Sequence, residues 1–484
     1  MERDGTAETV HLGIPGMDRS IRMAGGEMRI ASISGLRGVV GNGLDPATVS
    51  EFVAAFIAES GPGEYAIGHD GRSSADIFTA AVEASIRAVG CRGVLLGAVA
   101  TPTLGWLVRE WGLAGGVQIS ASHNPPEYNG LKLFQPGGMV LGADRGRAVL
   151  DRWTRRDLPW KPWDELGTSR AVEDPHSGHL KSIFPIVNAD AIRERRFKVV
   201  VDACHGAGGP LAGRLLRGLG ARVLVLGEVP DGQYEHPPEP TEANLQAFSA
   251  IVPAVGASVG FAQDPDADRL AVIDEKGRYI GEELTLALAA RLRLEQETGP
   301  VILNLSTSMT TEKLAISRGC PVFRTPVGEI NVVERMIAEG AILGGEGNGG
   351  VIDPRIGYVR DSFVGMAMIL DLMARTGRSI SELVAELPRF AMIKQKFPLP
   401  ARIGTSTATW LQEQTGTLTT GLPGARVDVR DGVRLEWEDR WVHVRSSNTE
   451  PIVRVIAEAP EETEALDLSG QVARMLGIAE DLWR

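Results

Sequence analysis

Asp264, Asp266 and Asp268 alternate in the run DPDADR. Three carboxylates at alternate positions of a loop can converge on one hard cation, and an all-oxygen set suits Mg2+ or Ca2+ rather than zinc. Two plainer readings compete: an EF-hand, for which Glu275 stands at the twelfth position, and a solvated acidic turn. The EF-hand fits poorly, because Arg269 occupies the place where that loop turns on glycine, and strand-type runs flank it. Arg269 itself suits bidentate capture of phosphate oxygens.

Ser122 and His123 stand side by side in QISASHNPPEYNGLKLF. Adjacent side chains diverge from a turn, and no G-x-S-x-G elbow surrounds the serine, so a hydrolase nucleophile with its base is a poor reading. A helix N-cap is the structural alternative, against which Pro125 and Pro126 argue. With a divalent cation nearby, Ser122 reads as a phosphate carrier, since phosphoserine is a dianion that needs one. Lys132, ten residues on, is a general base if neighbouring cations depress its pKa, or else an ordinary snorkelling surface lysine. In GGEGNGG (344–350), Glu346 and Asn348 offer groups that bind hydroxyls on a backbone a ligand can approach; a bare glycine-rich turn is the alternative. That loop is not a G-x-x-x-x-G-K-S/T phosphate loop, so nothing here reads as an ATPase. In RSSNTEP (445–451), Arg445, Ser447, Asn448 and Thr449 make an anion cradle, with Arg454 beyond, or simply a turn between strands. Arg37, in ISGLRG, can contribute to the same field.

Strand-type runs separated by helical patterns must position these loops. EYAIGHDGR, RGVLLGAVATP and GVQISASHNP form one set. FKVVVDACHGAG, ARVLVLGEVP and ASVGFAQDPDADR form a second, and PVILNLSTSMT, CPVFRTPVGE and AILGGEGNGG a third. Strands alternating with helices predict βαβ units and mixed, largely parallel sheets. The third run of each set ends in the unusual loop, and ligands of open α/β sheets gather beyond the carboxyl ends of strands. The expected fold is therefore α/β: three tandem, topologically similar mixed-sheet domains aiming equivalent loops at a central cleft. A smaller C-terminal α+β domain follows, because the tail alternates apolar and polar residues, turns at 430–432 and closes with a helix in ETEALDLSGQVARMLG. The segment between Asp151 and Lys181, rich in proline, tryptophan and charge, reads as a linker on the surface.

Whole-chain properties set the limits. With 50 basic and 62 acidic residues the net charge is -12, which argues against non-specific nucleic-acid binding. Cys91, Cys204 and Cys320 are far apart and odd in number, which reads as a reducing compartment without structural zinc. No apolar run approaches membrane-spanning length. The first residues carry Glu2, Asp4, Glu8 and Asp18 and lack an apolar core, so residues 1–27 are expected to be a poorly ordered leader and the location cytoplasmic.

Together these runs resemble the α-D-phosphohexomutase family over about residues 28 to 475, in order. SASHNP resembles its phosphoserine loop, DPDADR its Mg2+ loop, GEGNGG its sugar loop and RSSNTEP its phosphate-binding loop. The resemblance implies domains over 28–165, 175–278, 281–392 and 396–480. It implies phospho-Ser122 as donor and Mg2+ held by Ser122's phosphate, Asp264, Asp266 and Asp268. It further implies acid/base work by Lys132, sugar binding by Glu346 and Asn348, and phosphate binding by Arg445, Ser447, Asn448 and Thr449. The run TPVG, with Thr325, Val327 and Gly328, resembles another substrate-contacting loop. The implied reaction interconverts hexose 6-phosphate and hexose 1-phosphate through a hexose 1,6-bisphosphate. The partner is a small hexose phosphate, with neither nucleic acid nor membrane, and the protein is a monomer or weak homodimer. GEGNGG with SNTEP is closer to archaeal-type phosphoglucosamine mutases than to the phosphomannomutase/phosphoglucomutase branch, so glucosamine phosphate is the expected sugar. One position departs: Gly350 stands where some members carry a histidine, leaving His123 or a water as the second proton-transfer group. Two other classes compete, a phosphatase with Asp264 as nucleophile and a non-catalytic sugar-phosphate sensor.

Overall fold

A computed structural model describes residues 29–32, 35–398, 407–446 and 452–478. The leader expected over 1–27 lies outside these residues. In the first sheet the strands Arg92–Ala98, Glu64–His69 and Gly115–Ile119 run parallel, and Tyr128–Phe134 returns antiparallel beside the last of them. The second sheet repeats this with Arg222–Leu226, Lys198–Asp202, Val259–Gln263 and the antiparallel Leu270–Ile273. The third repeats it again with Val322–Thr325, Val301–Asn304, Leu343–Glu346 and the antiparallel Gly350–Ile352. Each unit thus has the same order, and the three chemically unusual loops are the connections from the third strand to the fourth.

Each of these connections contains a residue in the left-handed region: Ser122 (φ 51), Ala267 (φ 55) and Gly349 (φ 81). Glycine adopts this region freely, whereas serine and alanine pay on the order of 1–3 kcal/mol, which the surroundings must repay.

The fourth sheet is antiparallel throughout, in the order Ala391–Pro398, Ile452–Ala459, Trp441–Ser446, Val433–Glu436, Arg426–Asp428. The helix Glu462–Met475 packs on it. The fold is therefore three similar α/β domains followed by an α+β domain, as the patterning predicts.

Two features depart from the sequence reading. The second and third sheets share one continuous core, joined by the helix Ser362–Thr376. That helix is apolar nearly all round and buried from Ser362 to Ala374, so it serves both neighbours. The segment between Asp151 and Lys181 is also more than a surface linker. Ser169–Ala171 adds a parallel edge strand to the first sheet. Just beyond it, buried His179 bonds Thr103 at 3.0 Å and Asp361 at 2.8 Å, and Asp361 N-caps the shared helix. Proline and charge in that run masked a three-residue strand too short to show a period. No described helix is long and apolar enough to cross a membrane.

Candidate active site

The 119–128 connection brings Ser122 against the second sheet. Its Oγ donates to Asp264 Oδ2 at 2.8 Å and lies 3.2 Å from His123 Nδ1. Asp264, Asp266 and Asp268 are buried, with carboxylate oxygens within 4.8 Å of one another. Lys132 Nζ donates to Asp266 Oδ2 and, at 2.7 Å, to Asp268 Oδ2. Asp266 Oδ1 and Asp268 Oδ1 are buried acceptors without a hydrogen-bond partner among the described residues. An orphaned carboxylate oxygen is costly in a dry interior, so this donor set fits a hard divalent cation.

Electrostatics divides the three aspartates. Burial, then the charges of Asp268 and Asp266, push Asp264 well above the usual carboxylate range. Burial acts the same way on Asp268, but Arg360, Lys132 and Arg269 outweigh it and hold that carboxylate below its usual range. Burial opposes the charge on Lys132, yet Asp266 and Asp268 prevail and keep the ammonium above lysine's ordinary range. The expectation that nearby cations depress this pKa is therefore corrected: the nearest charges are anions. Arg269, followed by burial and Arg37, holds His123 well below the usual histidine range, so the ring is neutral. Arg37 donates to Asn124 Oδ1 at 2.9 Å, and Arg269 Nε has no hydrogen-bond partner among the described residues.

The sugar-loop residues join through an arginine that the sequence did not single out. Arg360 donates to Asp268 Oδ2 and to Glu346 Oε2, both at 2.7 Å, and approaches Glu329 at 3.4 Å. Glu346 Oε1 also accepts from Asn304 at 2.8 Å and from the Gly328 amide at 3.1 Å. Glu346 thus holds three protein donors and keeps an acceptor position on Oε2, and buried Asn348 Oδ1 has no partner among the described residues. Arg360 also accounts for the departure at Gly350. A β-carbon there would stand 2.3 Å from Arg360 Cδ, so the guanidinium stem fills the room a histidine would need.

The remaining loops attach in series. The Val327 amide donates to Asp431 Oδ2 at 3.0 Å, and Asp431 faces Arg445 Nε at 3.4 Å. Thr325 is buried, with its hydroxyl on the Pro326 carbonyl. Ser447, Asn448 and Thr449 lie outside the described residues. A polar chain therefore runs from Lys132 through Asp268, Arg360 and Glu346 to Gly328, and from Val327 through Asp431 to Arg445. Ser122, His123, Lys132, Arg37, Arg269 and the aspartates cluster directly, whereas Arg445 joins only through intermediates. The sequence reading missed Arg360, Arg72, Asp70 and Asp431. Arg72 stood visible in EYAIGHDGR, but nothing in that run says where its guanidinium points.

Comparison with known proteins agrees with this geometry. Four family models match consecutively: phosphoglucomutase/phosphomannomutase alpha/beta/alpha domain I over 28–159, domain II over 175–277, domain III over 281–390 and the C-terminal domain over 411–475. The fold is that of a phosphohexomutase, and the chain belongs to the phosphoglucomutase/phosphomannomutase family. It is 36% identical over 404 residues to a phosphoglucomutase/phosphomannomutase of Thermococcus kodakarensis, covering 82% of this chain and 86% of that one. It is 35% identical over 439 residues to a probable phosphoglucosamine mutase of Methanopyrus kandleri, covering 90% and 95%. A crystal structure of a phosphoglucomutase/phosphomannomutase family protein from Burkholderia thailandensis superposes with a TM-score of 0.80 at 26% identity, covering 93% and 97%.

Proposed function

We propose that the protein interconverts hexose 6-phosphate and hexose 1-phosphate through phospho-Ser122, with glucosamine phosphate as the sugar. The observation that carries this reading is Ser122 Oγ on Asp264, at the edge of a buried carboxylate cluster with two orphaned oxygens and flanked by cations. Mg2+ held by Asp264, Asp266, Asp268 and the phosphoserine would neutralise phosphate charge during transfer. In the first half-reaction the P–Oγ bond breaks as a bond forms from phosphorus to the free hydroxyl of the hexose monophosphate. The hydroxyl loses its proton and Ser122 Oγ gains one. The bisphosphate then turns, and Ser122 takes the other phosphoryl.

Lys132 is the acid/base group that supplies the proton Ser122 Oγ gains and takes one back in the second half-reaction. Arg37 and Arg269 hold the reacting phosphate, with Arg269 Nε free to donate. Glu346 and Asn348 take sugar hydroxyls, and Glu346 also orders the Gly328 amide and Arg360. Arg445, with the 447–449 segment and the Thr325–Gly328 run, receives the distal phosphate. His123, neutral and beside Ser122 Oγ, is the titratable group left to exchange protons with the sugar side, since Arg360 fills the space at Gly350.

The relatives named as phosphoglucosamine mutases support the sugar choice; the Thermococcus relative named as phosphoglucomutase/phosphomannomutase favours a second reading with glucose and mannose phosphates. The test is an assay of purified protein with Mg2+ and a trace of hexose 1,6-bisphosphate, comparing kcat/KM for glucosamine, glucose and mannose phosphates. Glucosamine phosphate is expected to lead. A mannose preference overturns the sugar choice, and no turnover of any of the three overturns the mutase reading.

A further inference from the structure

We propose that Arg72 is the positioning residue that sets Ser122 for phosphoryl transfer, an inference that rests on the phosphoserine reading. A guanidinium has five N–H donors, and Arg72 spends all five on protein. Nε donates to Asp70 Oδ2 at 3.0 Å. Nη1 donates to the carbonyls of Pro125 at 2.7 Å and Tyr128 at 3.0 Å, and Nη2 to those of Ser122 at 2.5 Å and Asn124 at 2.7 Å. No donor is left for a substrate phosphate, so Arg72 differs in kind from Arg37 and Arg269.

The arrangement controls Ser122 from both sides of its Cα. Its carbonyl is held by Arg72 directly. Its amide donates to Ser120 Oγ at 2.8 Å, and Ser120 Oγ donates to Asp70 Oδ2 at 2.6 Å, the same oxygen that anchors Arg72. One buried ion pair therefore fixes both peptide groups of a serine in the left-handed region, which is how the strain at φ 51 is maintained. The pair is roofed from the second sheet's side. The Tyr234 ring lies 5.4 Å from the guanidinium, and a β-carbon at Gly71 would meet the Pro230 carbonyl at 2.5 Å. Since the second sheet also carries the aspartates, Arg72 sets Ser122 Oγ relative to Asp264. Lysine, a point charge with three donors, cannot gather four carbonyls and a carboxylate.

The experiment compares wild type, Arg72→Lys and Ser122→Ala in full-length enzyme with Mg2+. It follows the single-turnover rate of 32P transfer from labelled glucose 1,6-bisphosphate to the protein, steady-state kcat and KM, and the melting temperature. Arg72→Lys is expected to lower the labelling rate and kcat on the order of 100-fold, the cost of misplacing a reacting group by about 1 Å, while KM changes little. Labelling at the wild-type rate, or a loss confined to KM, overturns the inference and leaves the phosphoserine reading standing. No label on wild type, or undiminished label on Ser122→Ala, overturns that reading and the inference with it. If Arg72→Lys does not fold, Asp70→Asn, which keeps the shape but weakens the anchor, carries the same test with the same outcomes.

Discussion

Asp264, Asp266 and Asp268, at one end of the polar chain, expose none of their side-chain surface; Asp431, the carboxylate at the other end, exposes 22%, and neighbouring Arg430 53%. Charges in the dry end interact at low effective dielectric and are held by several bonds each. Those in the wet end are screened and exchangeable. Under the proposed mechanism, the difference matches what a bisphosphate that must turn around demands. On that reading the reacting serine and its carboxylates must be held in place, whereas the receiving end has to grip a phosphate and then release it. On that reading Asp431, 3.4 Å from Arg445 Nε, is the partner that an incoming phosphate would displace.

The sharpest break would come at Ser122→Ala. Turnover should fall to background in the mutase assay with the melting temperature preserved, since a loop serine adds little packing; retained activity would remove the dry end from the chemistry altogether. Asp268→Asn comes next, because it strips Lys132 and Arg360 of a shared buried partner. Breaking such a cluster costs about 3–5 kcal/mol, so both thermal stability and Mn2+ affinity, read by electron paramagnetic resonance, should drop. An unchanged melting temperature would mean that water reaches this end too. Arg445→Met should act mainly on KM, raising it by the about 1.5–3 kcal/mol of a charged hydrogen bond, with kcat less affected; an equal fall in kcat would erase the contrast between the ends.

A separate check is a pH slope beside Asp431. His443 is buried, bonded to Ser306 at 2.9 Å and to the Asp431 carbonyl, and burial lowers its pKa to about 4. In the unfolded chain it titrates near 6.5, so between those values the unfolded state binds more protons. This contribution to stability is complete above about pH 6.5 and is lost as pH falls toward about 4, at up to roughly 1.4 kcal/mol per pH unit. His443→Gln should flatten that part of the melting profile relative to wild type, and parallel profiles would show that the ring stays hydrated.

Much of this was readable beforehand. Alternating runs with unusual third loops predicted the three repeated sheets, and the carboxylates of DPDADR announced their own convergence. What escaped were residues whose meaning lies in direction. Arg360 follows an ordinary run before a helix, and only packing reveals that it fills the space at Gly350 while joining Asp268 to Glu346. Glu346 reads as a hydroxyl binder in sequence, and only packing shows that it also holds three protein donors. Lys132 looked like a base among cations, and its neighbours proved to be anions. The shared core of the second and third sheets escaped for a similar reason: an all-round apolar helix does not say how many partners bury it.

By itself, then, the sequence determined the element plan and the chemical content of the loops, because periodicity and short-range residue types are local properties. Which charge meets which, and hence the protonation and the strain at Ser122, was decided only by tertiary structure. Ser122 and Asp264 are 142 positions apart and Arg72 and Ser122 are 50 apart, and contacts of that span depend on how whole sheets pack.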